Sequence, residues 1–314
     1  MPNGVCLKVY ERRLLFLPHQ MIDTVAAPET TFPVQLKMLL EQEARYQPKL
    51  CGLRIIESAQ DNGLRMTAAL RDFQVKELLS LTRFFGFSAE SFSLAVNLLD
   101  RFLAQMKVQP KHLSCVGLCC FYIAVKVSED EKNIPLANDL IRISQHRFTV
   151  SDMMRMEKIV LEKLHWKAKA TTSLHFLRLY YSHVIEQMPA ERKKMLNIER
   201  LEAQLKACYC CFSFSKVKPS LLALAILALE IQEQSLHELT EDFQRLKQYS
   251  NIKEGDLICV REMVAKCLAE YSSTKCTKPD NHKLRWIVSG RTARQLKHSY
   301  YRIAHLPTIP EAAC

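Results

Sequence analysis

The sequence predicts an all-α protein built as two helical bundles in tandem. Three observations carry that expectation. Only 7 glycines occur among 314 residues, and both β-turns and phosphate-cradling loops consume glycine. Apolar residues make up 48% of the chain, enough to bury a core in each of two ordinary domains. The apolar positions recur at helical spacing, in segments divided by turn signals.

Residues 1–34 contain Pro28 and Pro33 and show no clear period, so they read as a loose leader. A short leading helix is expected over Gln35–Arg45. Five closely spaced helices follow, at about Met66–Phe85, Ala89–Gln105, Lys111–Lys126, Leu136–Ser144 and Ser151–Leu164. The breaks between them, "FGFS", "KVQP", "EDEKNIP" and "RFTVS", carry turn and capping residues. This first unit spans 35–166, and "KAKATTS" (167–173) is a linker. A second unit over 174–271 matches the first in helix number and length but not in sequence. Its helices are expected at Leu174–Gln187, Asn197–Cys211, Pro219–Gln234, Glu238–Tyr249 and Gly255–Tyr271. Residues 272–314 form a proline-punctuated basic tail.

The net charge of +11 is uneven. From Lys275 onward, eight lysines and arginines face only Asp280 and Glu311, a net +6. No run reaches the roughly 18–20 unbroken apolar residues of a membrane span; Val116–Val125 is the longest candidate. The N-terminus mixes basic and apolar residues without the ordered regions of a secretory signal. A soluble protein that is not exported, with no membrane partner, is therefore expected. The twelve cysteines are scattered, mostly in apolar helical contexts, and read as buried free thiols. Cys208 and Cys211 formally make a C-x-x-C, but no second pair stands at finger spacing, so no metal is expected. Nucleotide, phosphate-loop, metalloprotease and serine-hydrolase motifs are all missing, so neither catalysis nor a cofactor is expected.

Four charges fall on apolar helical faces. Glu157 lies near the middle of the face made by Met153, Met154, Met156, Val160, Leu161 and Leu164. Arg71 sits inside the arc of Val75, Leu78, Leu79 and Phe85. Asp100 edges the face of Phe92, Val96 and Leu103. Lys126 closes the apolar run that begins at Leu113. Such a charge either belongs to an internal ion pair or marks a surface awaiting a partner. Arg71 and Asp100 read as an internal pair. For Lys126 and Glu157 the residues alone leave both readings open.

The segments "SLAVNLLDRFLAQMKVQPKHLSCVGLCCFYIAVKVSED" and "MMRMEKIVLEKLHW" resemble a cyclin box. The pattern L-A-V-N-x-x-D-R-F-L, then V-G, A-x-K and R-M-E-x-x-V-L, is specific and covers about Met66 to Trp166. "LLEQEARYQPKLCGLRIIESAQDNGLRMTAALRDF" and "RWIVSGRTARQLKHSYYRIAHLPTIPE" extend the likeness to the G-type cyclins, from about residue 35 to the end. The resemblance implies two tandem five-helix cyclin folds. It implies that Lys126 of A-x-K and Glu157 of R-M-E face a bound cyclin-dependent or related protein kinase. It also implies that Arg71 and Asp100 form a buried pair tying two helices. Two departures stand out. The family's substrate-docking patch is degenerate: "LRDFQ" (Leu70, Arg71, Asp72, Phe73, Gln74) replaces an apolar motif, and Glu77 stands where a tryptophan is usual. Val127 replaces the usual aromatic beside the lysine, which thins the kinase contact.

In the tail, "TARQLKHSYYRIAH" starts with the capping-box pair Thr292 and Gln295 and continues as a basic amphipathic pattern. "LPTIPEAAC" is kept extended by Pro307 and Pro310. Its Leu306, Ile309 and Glu311 resemble the L-x-x-I-x-E motif read by the B-prime regulatory subunits of protein phosphatase 2A. The functional expectation is a non-catalytic cell-cycle regulator that binds a kinase and recruits this phosphatase. The resemblance further implies growth arrest after DNA damage and a nuclear, partly cytoplasmic location, for which Arg192, Lys193 and Lys194 are a weak local cue. The alternative class, nucleic-acid binding, has only the basic tail with Trp286, Tyr300 and Tyr301 behind it.

Overall fold

A computed structural model describes residues 32–272 except positions 61, 62 and 64. The leader before Phe32 and the basic tail lie outside the described residues, including Leu306, Ile309, Glu311 and the Thr292–Gln295 cap. Every regular element among the described residues is helical.

The first unit contains α3 (Ala68–Phe85), α4 (Ala89–Leu103), α5 (Pro110–Ser128), α6 (Ala137–Ile143) and α7 (Val150–Lys163), after two helices described below. Local chemistry sets their ends. Thr67 and Ser88 accept backbone N–H groups at the starts of α3 and α4, and Gly86 closes α3 in the left-handed conformation at φ 70°. Pro110 opens α5, where its missing N–H leaves nothing unpaired. Thr149 and Asp152 form a reciprocal capping box on α7.

Helix α5 is the axis of this unit, with α3, α4 and α7 packed around it. Leu118, Cys119, Cys120, Phe121, Ile123, Ala124 and Val125 have no exposed surface, so α5 is apolar on every side because it is enclosed on every side. It is also long and apolar enough to cross a membrane, and here most of that surface is buried in the protein core. Glu129, just past α5, accepts from the Ser88 amide (2.8 Å), the Ser88 hydroxyl (2.8 Å) and the Ser91 hydroxyl (2.5 Å), pinning the end of α5 to the start of α4.

The second unit repeats the plan: α8 (Ser173–Gln187), α9 (Ile198–Tyr209), α10 (Pro219–Glu233), α11 (Thr240–Tyr249) and α12 (Glu254–Ser272). Helix α10 is the axis, with α8, α9 and α12 around it. Cys208 is buried in this core and Cys211 is half-buried at its edge.

Two elements differ from the sequence expectation. The leading helix, α1 (Phe32–Glu43), starts earlier and packs on α8 and α10 of the second unit, with Leu36 in that core. Its last residues reach across. Gln42 accepts from the Thr171 hydroxyl (2.8 Å), and buried Glu43 accepts from the Ser220 amide (2.6 Å) in the first turn of α10. A further helix, α2 (Leu50–Glu57), was not expected. Gly52 inside it is a poor helix former. The structure gives the glycine its reason: a Cβ at Gly52 would stand 1.9 Å from the Ala104 carbonyl oxygen, so only glycine lets α2 close on the end of α4. Leu53 and Ile56, one turn apart, then bury in the first core, about 1.5–3 kcal/mol each.

Candidate functional site

Arg71 and Asp100 meet as an internal pair. Arg71 Nε and Nη2 donate to the two Asp100 carboxylate oxygens at 2.8 and 2.7 Å, a bidentate fork. The pair does more than join α3 to α4. Arg71 Nη1 also donates to the Tyr209 carbonyl at 2.6 Å and to Asp72 at 3.1 Å. The same guanidinium therefore clamps the first unit to the end of α9 in the second. Burial works against its charge, but Asp100 and Asp72 outweigh burial, and the Arg71 pKa is raised. Arg101, next in the motif, is a second buried arginine. It donates to the Lys167 carbonyl at 3.0 Å and lies 5.2 Å from the Tyr46 ring centre. Burial lowers its pKa to about 10, so it stays charged at neutral pH.

Lys126 and Glu157 also meet. The Lys126 ammonium donates to Glu157 Oε1 across the seam between α5 and α7. The pair is lopsided: the Glu157 side chain is 7% exposed, and the Lys126 side chain 22%. The ammonium lies 4.5 Å from the centre of the Tyr122 ring, one turn back on α5. Val127 is partly buried against the core, while Met154, one turn before Glu157, is 41% exposed. The two readings left open by the residues are thus not exclusive: the charges pair with one another, and they do so at a surface with an exposed methionine on the same helix. Tyr122 was not singled out from sequence, and Met154 was expected on the apolar face of its helix but stands exposed. Their signal was spacing alone: Tyr122 is i−4 from Lys126 and Met154 is i−3 from Glu157.

At the degenerate docking patch, Leu70 is half-buried, Phe73 is 62% exposed and Gln74 is 2% exposed. Gln74 lies over Gly117 of α5, where a Cβ would stand 2.7 Å from its side chain. Asp72 is turned toward Arg71 rather than into an apolar groove. Glu77 and Gln74 line one side of a polar cleft.

Sequence relations settle the family. Residues 35–169 match the model of the cyclin N-terminal domain, and residues 171–284 match that of the cyclin C-terminal domain. The chain belongs to the cyclin family. Cyclin-G1 of Bos taurus is 72% identical to this cyclin over 277 residues, covering 88% of this chain and 94% of that one. Cyclin-G1 of Homo sapiens is 70% identical over the same shares, and human Cyclin-G2 is 52% identical, covering 89% of this chain and 81% of that one. A viral cyclin from herpesvirus saimiri superimposes with a TM-score of 0.60 at 20% identity, over 75% of this chain and 99% of that one. A chain of the CAK complex from Chaetomium thermophilum, solved with ATP-gamma-S, gives a TM-score of 0.52 at 15% identity, over 88% and 91%. As a G-type cyclin it is a regulatory protein and not an enzyme.

Proposed function

We propose that this cyclin binds a protein kinase along the α5–α7 seam, through Lys126, Glu157 and Val127. We further propose that it brings protein phosphatase 2A to that complex through Leu306, Ile309 and Glu311, read by a B-prime regulatory subunit. The lopsided ion pair carries the kinase half. A pair serving only the core would be closed on both sides. Here the buried carboxylate holds an ammonium that stands partly in solvent, above an aromatic ring and on the side of the exposed Met154. A partner that covers this seam desolvates both charges at once, which is where interface residues contribute most. The similarity to a chain from the CAK complex supports a kinase partner.

The phosphatase half rests on the extended L-x-x-I-x-E segment: two apolar anchors, and a carboxylate for a basic contact. In this reading the protein acts in growth control and in arrest after DNA damage, in the nucleus and also the cytoplasm. Mass spectrometry of partners recovered by three full-length forms tests both halves. Lys126→Ala with Glu157→Ala should lose the kinase and keep the phosphatase. Leu306→Ala with Ile309→Ala should do the reverse. Recovery of the phosphatase at wild-type level by the second form rules out the tail assignment.

A further inference from the structure

Two thiols of the second unit face each other across a helix seam. Helix α9 packs on α12. Cys208, in the last turn of α9, has no exposed surface, and Cys267 of α12 is half-buried against the same core. The Cys267 sulfur lies 4.0 Å from the carbonyl oxygen of Ala207, the residue before Cys208. The two thiols share a hydrogen bond that splits their acidities. It holds Cys267 below the ordinary thiol value, against burial, and together with burial it pushes Cys208 well above that value.

Other thiols are placed less well for a link between helices. Cys115 and Cys119 also share a hydrogen bond, but they stand one turn apart on α5, where a bond would join nothing new. Cys210 is buried, and its pKa is pushed up to about 12, so at neutral pH it is a poor nucleophile. The Cys208–Cys267 contact also stands at a structural joint. Tyr209, the residue after Cys208, offers its carbonyl to Arg71 at 2.6 Å, so the end of α9 is where the two cyclin folds are clamped.

We propose that Cys208 and Cys267 form a reversible disulfide, driven by hydrogen peroxide, that fastens α12 to the clamped end of α9. Cys267, the half-buried partner, reacts first. Its thiolate sulfur attacks one oxygen of the peroxide. The O–O bond breaks, and the other oxygen leaves as hydroxide and takes a proton to become water. The product is a sulfenic acid on Cys267. The Cys208 thiol then attacks that sulfur. An S–S bond forms, the S–O bond breaks, and the oxygen leaves as water with the Cys208 proton. Two thiols and one peroxide give one disulfide and two waters, and a dithiol reductant reverses the bond. The closed loop restricts the unfolded chain, so the oxidised protein is the more stable form.

Peptide mapping of the full-length protein tests this directly. Reduced protein is treated with equimolar hydrogen peroxide, its remaining thiols are blocked with N-ethylmaleimide, and its tryptic peptides are read without reduction. The expected product is a Cys208–Cys267 link that dithiothreitol removes. In an equal mixture of ¹⁵N-labelled and unlabelled chains, the link should join peptides of a single isotope only. Cys208→Ala should instead accumulate the sulfenic acid, seen as at least fivefold more dimedone adduct on Cys267 than in wild type. Oxidised wild type should melt about 5 °C or more above the reduced protein, and Cys267→Ser should show no such shift. A link from Cys267 to Cys210 or Cys211, a mixed-isotope link, or no link overturns the proposal. So does equal dimedone labelling of the two proteins, or an unchanged melting temperature once the link has formed.

Discussion

Arg71 on α3 holds Asp100 on α4 through two parallel hydrogen bonds, and with its remaining terminal nitrogen reaches the Tyr209 carbonyl at the end of α9. A single buried guanidinium therefore spans both cyclin folds. Arg71→Ala leaves Asp100 buried and unpaired, a change that costs about 3–5 kcal/mol. Arg71→Lys keeps a charge but cannot make the fork and reach the carbonyl together. Urea unfolding should show both variants destabilised, alanine more than lysine, and the two units should lose their shared transition. A wild-type midpoint for Arg71→Ala contradicts the clamp.

Gly52 sets the approach of α2 to α4. Gly52→Ala would place a methyl group 1.9 Å from the Ala104 carbonyl oxygen, and backbone cannot swing aside as a flexible side chain can. Overpacking of this kind costs about 1–3 kcal/mol, although alanine is otherwise the better helix former. The expected result in thermal melts is a lower midpoint; a rise would show that α2 is not held against α4.

Helices α3 to α7, their order and the Arg71–Asp100 pair were legible in the sequence because period, caps and lone charges on apolar faces are local signals. What escaped was set by packing between distant segments. The Tyr209 acceptor is a backbone carbonyl and leaves no mark on side-chain chemistry. Helix α2 was hidden by Gly52, whose cost inside a helix is repaid only where the chain meets Ala104. The docking of α1 onto the second unit rests on Leu36, Gln42 and Glu43, which read as an ordinary amphipathic turn until Thr171 and Ser220 are seen beside them. At the α5–α7 seam, Lys126 and Glu157 stood out, but Tyr122 and the exposure of Met154 became visible only once the helices were docked.

Glu43 supplies the acceptor for the Ser220 amide at the start of α10, inside the protein. Glu43→Gln retains an oxygen acceptor at that point, whereas Glu43→Ala leaves a buried N–H unpaired at about 1–3 kcal/mol. Differential unfolding of the two variants should rank alanine well below glutamine. If they are equally stable, α1 does not cap α10.

His175 caps α8 as a neutral ring. Its Nδ1 accepts the Thr172 amide at 3.2 Å, and burial holds its pKa below the ordinary 6.5, with the charge of Glu90 opposing. A depressed folded-state pKa means the unfolded chain takes up the proton first. The stabilising contribution is therefore complete above pH 6.5 and is lost as the pH falls through the lower, folded-state value. His175→Asn should reduce the loss of melting temperature between pH 7 and pH 5 relative to wild type. An identical loss in both proteins would show that His175 does not titrate with unfolding.

The central claim is that Lys126 and Glu157 form an ion pair that also meets a kinase. The swap Lys126→Glu with Glu157→Lys separates those roles, because it preserves the pair and inverts what a partner encounters. The decisive measurement is kinase recovery with the full-length swapped protein, alongside its melting temperature. The account predicts a melting temperature close to wild type and kinase recovery reduced at least tenfold. Wild-type recovery by the folded swap would contradict it and leave the pair a purely internal one.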